Sequence, residues 1–322
     1  MSLLITGGAG FIGSHLVNYL NDHDCVVCVL DDGSNVNPHS KEQIKQLKNI
    51  TLINGSVLDK VLIENLVKKV DFCFHLAASL GVANIHKDPI RSLESNIIGS
   101  KNVLTATADL GIRTIYASSS EVYGKNLDIP LNEDSDRVLG STKIPRWSYS
   151  EAKAMGELYA FELHKKKSFP VTVARFFNTV GPRQSGSYGM VLPRFVKAAI
   201  SNQPLFVYGD GTQSRTFCSV KDVVDALILL MDSQESIGQA FNIGSTDEIT
   251  IGELAQKVIK LTNSTSEIVF RKYSEVFGDH FEEPQRRVPD ISKIKKLVGW
   301  QPQQSLDEVI IEIAEYLKSN DA

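Results

Sequence analysis

The chain has 322 residues, 42% hydrophobic and 22% charged, with a formal net charge of −4. These values suit a globular protein long enough to bury a large core in one domain or two. With no long basic run, no apolar stretch near the roughly 20 residues of a membrane span and only four cysteines, nucleic-acid binding, membrane insertion and a disulfide scaffold are excluded.

The apolar residues 3–6 predict a buried strand, and Gly7, Gly10 and Gly13 follow at once. Gly7 suits a tight turn needing positive φ, Gly10 lets a phosphate approach the backbone, and Gly13 allows close helix–strand packing. A helix begins there, and its N-terminal N–H groups and dipole attract a pyrophosphate. The apolar start lacks a basic stretch and is read as a strand, not an export signal. A second strand, 25–30, ends at Asp31, near the spacing expected for a carboxylate on an adenosine ribose. Asp32, Ser34 and Asn35 follow it. Cys25 and Cys28 form a CxxC pattern, but residues three apart on a strand face opposite sides, so buried structural thiols are expected. The seven histidines are scattered without metal-ligand spacing. A reduced, metal-free, cytoplasmic protein is expected.

Further strands are predicted at 50–53, 72–76, 114–117 and 171–176, with helices at 16–20, 58–67, 92–110 and 150–164. This alternation predicts an α/β fold, a Rossmann-type doubly wound parallel sheet. Ser56 and Val57, Leu76, Ala77 and Ala78, and the segment 118–121 lie at strand ends and should border one crevice with the glycine loop. Beyond residue 177 turn clusters at 181–183, 185–189 and 209–211 separate short elements, which predicts a smaller mixed α/β part capping the crevice. Residues 1–177, with a returning segment near 214–244, form the expected dinucleotide-binding domain; 178–213 and 245–322 form the capping part. A final amphipathic helix is read over 306–317, and Lys165–Lys167 reads as a solvated helix end.

Tyr149 and Lys153 stand four apart at a helix start and share a face. An ammonium beside a phenol favours the phenolate, which makes Tyr149 a candidate general base. A solvated helix pair would show the same spacing, but the nucleotide crevice and the nearby segment 118–121 favour catalysis.

With these stretches, and with 96–99, 175–178, Arg215 and 286–290, the chain resembles the extended short-chain dehydrogenases/reductases of the NAD-dependent nucleotide-sugar epimerase/dehydratase family along nearly its whole length. The resemblance implies NAD held by Gly7, Gly10, Phe11, Ile12, Gly13, Asp31, Asp32, Ser34, Asn35, Ser56, Val57, Leu76, Ala77, Ala78, Asn96, Tyr149 and Lys153. Relatives frequently carry Asp where Ser56 stands, reaching the adenine. Tyr149 would take the proton from the sugar hydroxyl, usually at C4, with Lys153 on the nicotinamide ribose and Ser119 on the reacting oxygen. Asn178, Arg215 and Arg287 would grip the pyrophosphate of a nucleotide-diphosphate sugar, as forked guanidinium groups suit phosphate. Val191, Leu192, Phe206 and Tyr208 complete the implied substrate site, UDP-sugars are the favoured substrates, and a homodimer through the helices near 92–110 and 150–164 is implied.

The resemblance also makes Glu121 informative. Members that continue past a C4 ketone carry Glu there, where it removes the C5 proton or guides the ring. The dehydratase pattern Thr-Asp-Glu is Ser119-Ser120-Glu121 here, so the acid for a C6 leaving group is missing. The decarboxylase pattern and the neighbourhood 145–150 match better. A UDP-sugar 4-epimerase is the alternative. An NADPH-dependent carbonyl reductase is disfavoured by the charge of Asp31, and a non-catalytic NAD sensor by the intact Ser119, Tyr149 and Lys153. Glu121 as a carboxylate that merely orders its loop is also open.

Overall fold

A computed structural model describes residues 2–34, 36, 38–79, 88–186, 190–273, 275, 282 and 284–320. Asn35 and residues 187–189 of the expected turn cluster lie outside them.

The central sheet has seven parallel strands: β1 Ser2–Thr6, β2 Val26–Asp31, β3 Ile50–Asn54, β4 Phe72–His75, β5 Arg113–Ser119, β6 Val171–Phe176 and β7 Ala240–Ile243. Their order in the sheet is β7-β6-β5-β4-β1-β2-β3. Central strands of such a sheet are covered on both faces, which is why β1, β4 and β5 read as continuous apolar runs and not as alternating ones. Leu3, Leu4, Ile5, Phe74 and Ile115 are fully buried. The chain runs outward through β2 and β3, then returns to place β4 on the other side of β1. That reversal opens a crevice at the carboxyl ends of β1 and β4.

The helix α1 Phe11–Asp22 follows the glycine turn directly. Gly7 has φ +73°, and a Cβ there would lie 2.7 Å from the backbone nitrogen of Ala77. At Gly13 a Cβ would meet the carbonyl oxygen of Gly7 at 2.3 Å. The turn therefore closes only with glycine at both positions. The helix predicted over 92–110 begins earlier, at Pro89–Glu94, passes through a π-helical turn at Ser95–Gly99 and continues as Ser100–Asp109. Asp88 caps its start by accepting from the backbone of Arg91. The helix Ser148–Lys167 packs beside it, and the hydroxyls of Thr105 and Tyr159 join the two at 2.9 Å.

A second apolar cluster lies beyond β6. It joins the helices Val191–Ile200, Ile251–Thr262 and Leu306–Asn320 to the strand Leu205–Tyr208. Thr250 and Glu253 form a reciprocal capping box at the start of the middle helix. Leu192, Phe195, Leu254 and Ile310 are fully buried, each stabilising by about 1.5–3 kcal/mol relative to exposure. Cys73 and Cys218 are buried, while Cys25 and Cys28 are only half-buried because β2 lies near the sheet edge; all four are free thiols. Among the described residues, no helix is long and apolar enough to cross a membrane.

Candidate active site

A cleft of about 490 Å³ runs along the carboxyl ends of the strands, within the size range of ligand sites. Gly7, Gly10, Phe11, Ile12 and Gly13 line one end with Asp31, Asp32 and Ser34, and Ser56, Val57, Leu76, Ala77 and Ala78 line its walls. At Gly10 a Cβ would meet only the carbonyl of Gly7, at 3.2 Å. Asp31 spans the glycine loop: its Oδ2 accepts from the backbone of Ala9 at 3.0 Å and its Oδ1 from Gly33 at 2.9 Å. Burial raises the Asp31 carboxyl, and these two bonds oppose the shift. The glycine cradle, the helix N-terminus and a fixed carboxylate at the end of β2 fit a dinucleotide bearing free ribose hydroxyls.

Asn96 stands back from this wall. Its Oδ1 accepts from the Ser79 backbone at 3.0 Å and its Nδ2 donates to the Ser79 carbonyl at 2.8 Å. Its amide thereby holds the segment after β4 in place.

The helix Ser148–Lys167 brings Tyr149 and Lys153 to the cleft beside Ser119, the last residue of β5. Lys153 is 1% exposed and donates from Nζ to the Ala117 carbonyl at 2.8 Å. Its Nζ lies 5.9 Å from the centre of the Tyr149 ring. Burial pulls the ammonium down to about 8, and Glu157, one turn further on, pulls it back up. Glu157 is in turn held by the Ser118 hydroxyl and by Arg175, whose Nη2 donates at 2.6 Å.

The Tyr149 phenol differs from the expectation. Burial pushes it well above its usual range, Tyr116 and Glu121 add to the shift, and a hydrogen bond with Ser119 opposes it. Desolvation of the phenolate is the largest cause of that shift.

Glu121 sits between two arginines. Arg146 donates in a fork, Nη1 to Oε2 at 2.6 Å and Nη2 to Oε1 at 2.9 Å. Arg287 donates from Nη1 to Oε1 at 2.8 Å and to the Ser120 hydroxyl at 3.4 Å. The side chains are 17% exposed for Glu121, 7% for Arg146 and 4% for Arg287. Burial would raise the Glu121 carboxyl, but the charges and hydrogen bonds of both arginines outweigh it and hold the group well below the usual carboxylate range. Among the described residues, Nε and Nη2 of Arg287 are buried without a hydrogen-bond partner. Two guanidinium donors are thus left at the cleft wall for an acceptor brought by a ligand.

Asn178, Val191, Leu192, Tyr208 and Arg215 line the remainder of the cleft, with Arg146, Glu121 and Arg287. Asn178 donates from Nδ2 to the Thr216 carbonyl at 2.9 Å. Arg215 donates from Nη1 to the carbonyls of Ser214 and Gln285, at 2.7 and 3.2 Å. Phe206 is not in the lining; its ring centre lies 3.9 Å from the Arg271 guanidinium, which covers it from the neighbouring strand Ile268–Arg271. Arg146, Arg183, Gln184, Arg194, Gln213 and Tyr273 also line the cleft without having been picked out from the sequence. For Arg146 a signal existed in the matching neighbourhood of Tyr149; the others come from loops and short elements with no pattern of their own.

The model of the NAD dependent epimerase/dehydratase family matches residues 3–244. The chain belongs to that family and is an NAD-dependent enzyme, as the glycine loop and Asp31 implied. It is 40% identical over 316 residues to the UDP-N-acetyl-alpha-D-glucosaminuronate decarboxylase of Bacillus cytotoxicus, covering 98% of this chain and 97% of that protein. It is 37% identical over 314 residues to UDP-glucuronic acid decarboxylase 1 of Danio rerio, covering 98% and 72% respectively. The crystal structure of UDP-glucuronic acid 4-epimerase from Bacillus cereus, in complex with UDP-glucuronic acid and NAD, superposes with a TM-score of 0.88 at 27% identity, covering 99% of each chain.

Proposed function

We propose that this protein decarboxylates a UDP-linked uronate sugar with NAD as a recycled cofactor. The observation that carries this reading is the Glu121 carboxylate locked between Arg146 and Arg287 beside Tyr149. A dehydratase needs a base for the C5 proton and an acid for the C6 hydroxyl. A carboxylate held this far below its usual range is a poor base, and Ser120 is no acid. A decarboxylase needs neither group. Once C4 is a ketone, the C6 carboxylate is β to it. The C5–C6 bond breaks, carbon dioxide leaves, the electron pair becomes an enolate across C5 and C4, and C5 then takes a proton. The decarboxylases among the relatives support the same reading.

In this scheme Gly7–Gly13, Asp31 and the cleft walls hold NAD, with Lys153 on the nicotinamide ribose. Bound NAD supplies the hydride acceptor for C4, later the donor, and a positive charge that favours the phenolate. Tyr149 removes the C4 hydroxyl proton and returns it at the end, while Ser119 fixes the oxygen. Glu121 guides the ring as a permanent anion. Arg215 and Asn178 take the pyrophosphate, and Tyr208 borders the base. Residues 1–177 with 214–244 then form the cofactor domain, and 178–213 with 245–322 the sugar-nucleotide domain.

A homodimer belongs to the proposal, supported by exposed Ile97, Ile98, Met155 and Leu158 on the paired helices. Cytoplasmic placement is supported by the four free thiols. The test is incubation with UDP-glucuronate, UDP-N-acetylglucosaminuronate and UDP-glucose in deuterated water, followed by NMR. Carbon dioxide release with one deuterium on C5 is expected from a uronate. Interconversion of C4 epimers without solvent label would replace this reading with a 4-epimerase.

A further inference from the structure

We propose that Arg146 is a positioning residue for the sugar carboxylate, acting through Glu121 on Arg287. The proposal deepens the uronate reading and rests on it for the identity of the ligand anion. Arg146 lies three residues before Tyr149, in a 3-10 turn at Pro145–Trp147, whereas Arg287 arrives from a distant segment. The Glu121 carboxylate joins them: its Oε1 accepts from both guanidinium groups, while Oε2 is taken by Arg146 at 2.6 Å. A carboxylate held at both oxygens by a planar fork has its plane fixed, which a single ammonium contact could not do.

That fixed oxygen holds Nη1 of Arg287 at 2.8 Å. It thereby sets the direction of the remaining fork, Nε and Nη2, the two buried donors without a partner. Arg146 is itself held: its guanidinium lies 5.6 Å from the centre of the Trp147 ring, and the Trp147 Nε1 donates to Glu282 at 3.0 Å. The cluster of two cations and one anion carries a net positive charge at the cleft wall. An anionic C6 group satisfies both that charge and the open fork, whereas a C6 hydroxyl satisfies neither.

The test measures binding apart from turnover. In a Tyr149→Phe background, with NAD present, titration calorimetry compares UDP-glucuronate, UDP-glucose and UDP in proteins carrying Arg146, Arg146→Lys or Arg146→Met. Arg146→Met is expected to reduce the preference for UDP-glucuronate over UDP-glucose by about tenfold or more, and to leave UDP affinity within about twofold. Arg146→Lys keeps the charge but loses the fork, and it should lose part of the preference. In the otherwise native enzyme, Arg146→Met should lower turnover of the uronate about 100-fold, as expected when a reacting group is misaligned by an ångström.

An unchanged uronate preference in both variants, or an equal loss of UDP affinity, overturns the proposal. If Arg146→Met does not fold, wild-type preference and turnover in Arg146→Lys overturn it. A wild type that prefers the uronate through Arg146 yet releases no carbon dioxide would refute the decarboxylase reading and leave the role of Arg146 standing.

Discussion

Glu121→Gln is expected to destabilise the protein as much as it impairs the reaction. Two arginine side chains, 7% and 4% exposed, share this one carboxylate. Breaking a buried ion pair by removing one partner costs about 3–5 kcal/mol, because the remaining charge stays buried without compensation. The amide retains one acceptor oxygen, so the lower half of that range is the better expectation. At roughly 2–4 °C per kcal/mol for domains of this size class, the melting temperature should fall by about 6–16 °C. The assay is urea unfolding followed by Trp fluorescence, with a thermal melt alongside.

The pH dependence of the Glu121→Gln effect has a definite sign. The folded carboxyl is depressed, with burial raising it but both arginines outweighing burial. Its stabilisation is therefore fully present above the unfolded value of about 4.3 and is lost as pH falls toward the folded value. The gap between wild type and variant should be flat from about pH 5.5 to 8 and close only in stronger acid. Adding Arg146→Met to Glu121→Gln should recover part of the loss, since one uncompensated cation is removed. A single variant within about 1 kcal/mol of wild type at pH 7, or a gap that closes near neutrality, would refute the reasoning.

Tyr149→Phe should fold normally and lose about 10²–10⁴-fold in turnover, measured by carbon dioxide release; near-wild-type turnover would exclude Tyr149 as the base. For Lys153, lowered to about 8 chiefly by burial, kcat/KM should decline above about pH 8 as the ammonium deprotonates. Since the unfolded chain binds that proton up to about 10.4, the contribution of Lys153 to stability should rise with pH between these values, and Lys153→Met should flatten that slope. Asp31→Ala should weaken NAD binding and relax discrimination against NADP in equilibrium titrations, because it removes the charge that repels a 2′-phosphate. Leu158→Glu, at an exposed position on the helix Ser148–Lys167, should convert a dimer to a monomer in light scattering; a wild type already monomeric at micromolar concentration refutes the dimer.

The local features of the site were legible because their chemistry is local. Gly7 and Gly13 announce a turn that only glycine can close, Asp31 ends the strand that follows α1, and Tyr149 and Lys153 share a face through helix geometry alone. The α/β alternation set the sheet architecture, since the central strands are covered on both faces. The break of the predicted helix 92–110 by a π-helical turn had no sequence signal, because backbone registers of that kind are decided by packing against the adjacent helix. The contacts of Asn96 with Ser79 and of Phe206 with Arg271 were likewise not legible, because those neighbours come from other elements.

From its sequence alone this protein could be read as a dinucleotide-binding α/β enzyme with a tyrosine–lysine pair and a conspicuous carboxylate at position 121. The tertiary structure decided what that carboxylate and that phenol are. Arg146 and Arg287 reach Glu121 from 25 and 166 residues away, and no local pattern records such a meeting. Their charges and hydrogen bonds favour its ionised form against the effect of burial, an environment that its position after β5 alone did not reveal. Burial likewise raises the Tyr149 phenol. Ionisation depends on desolvation and on the summed field of surrounding charges, and both exist only once the chain has packed.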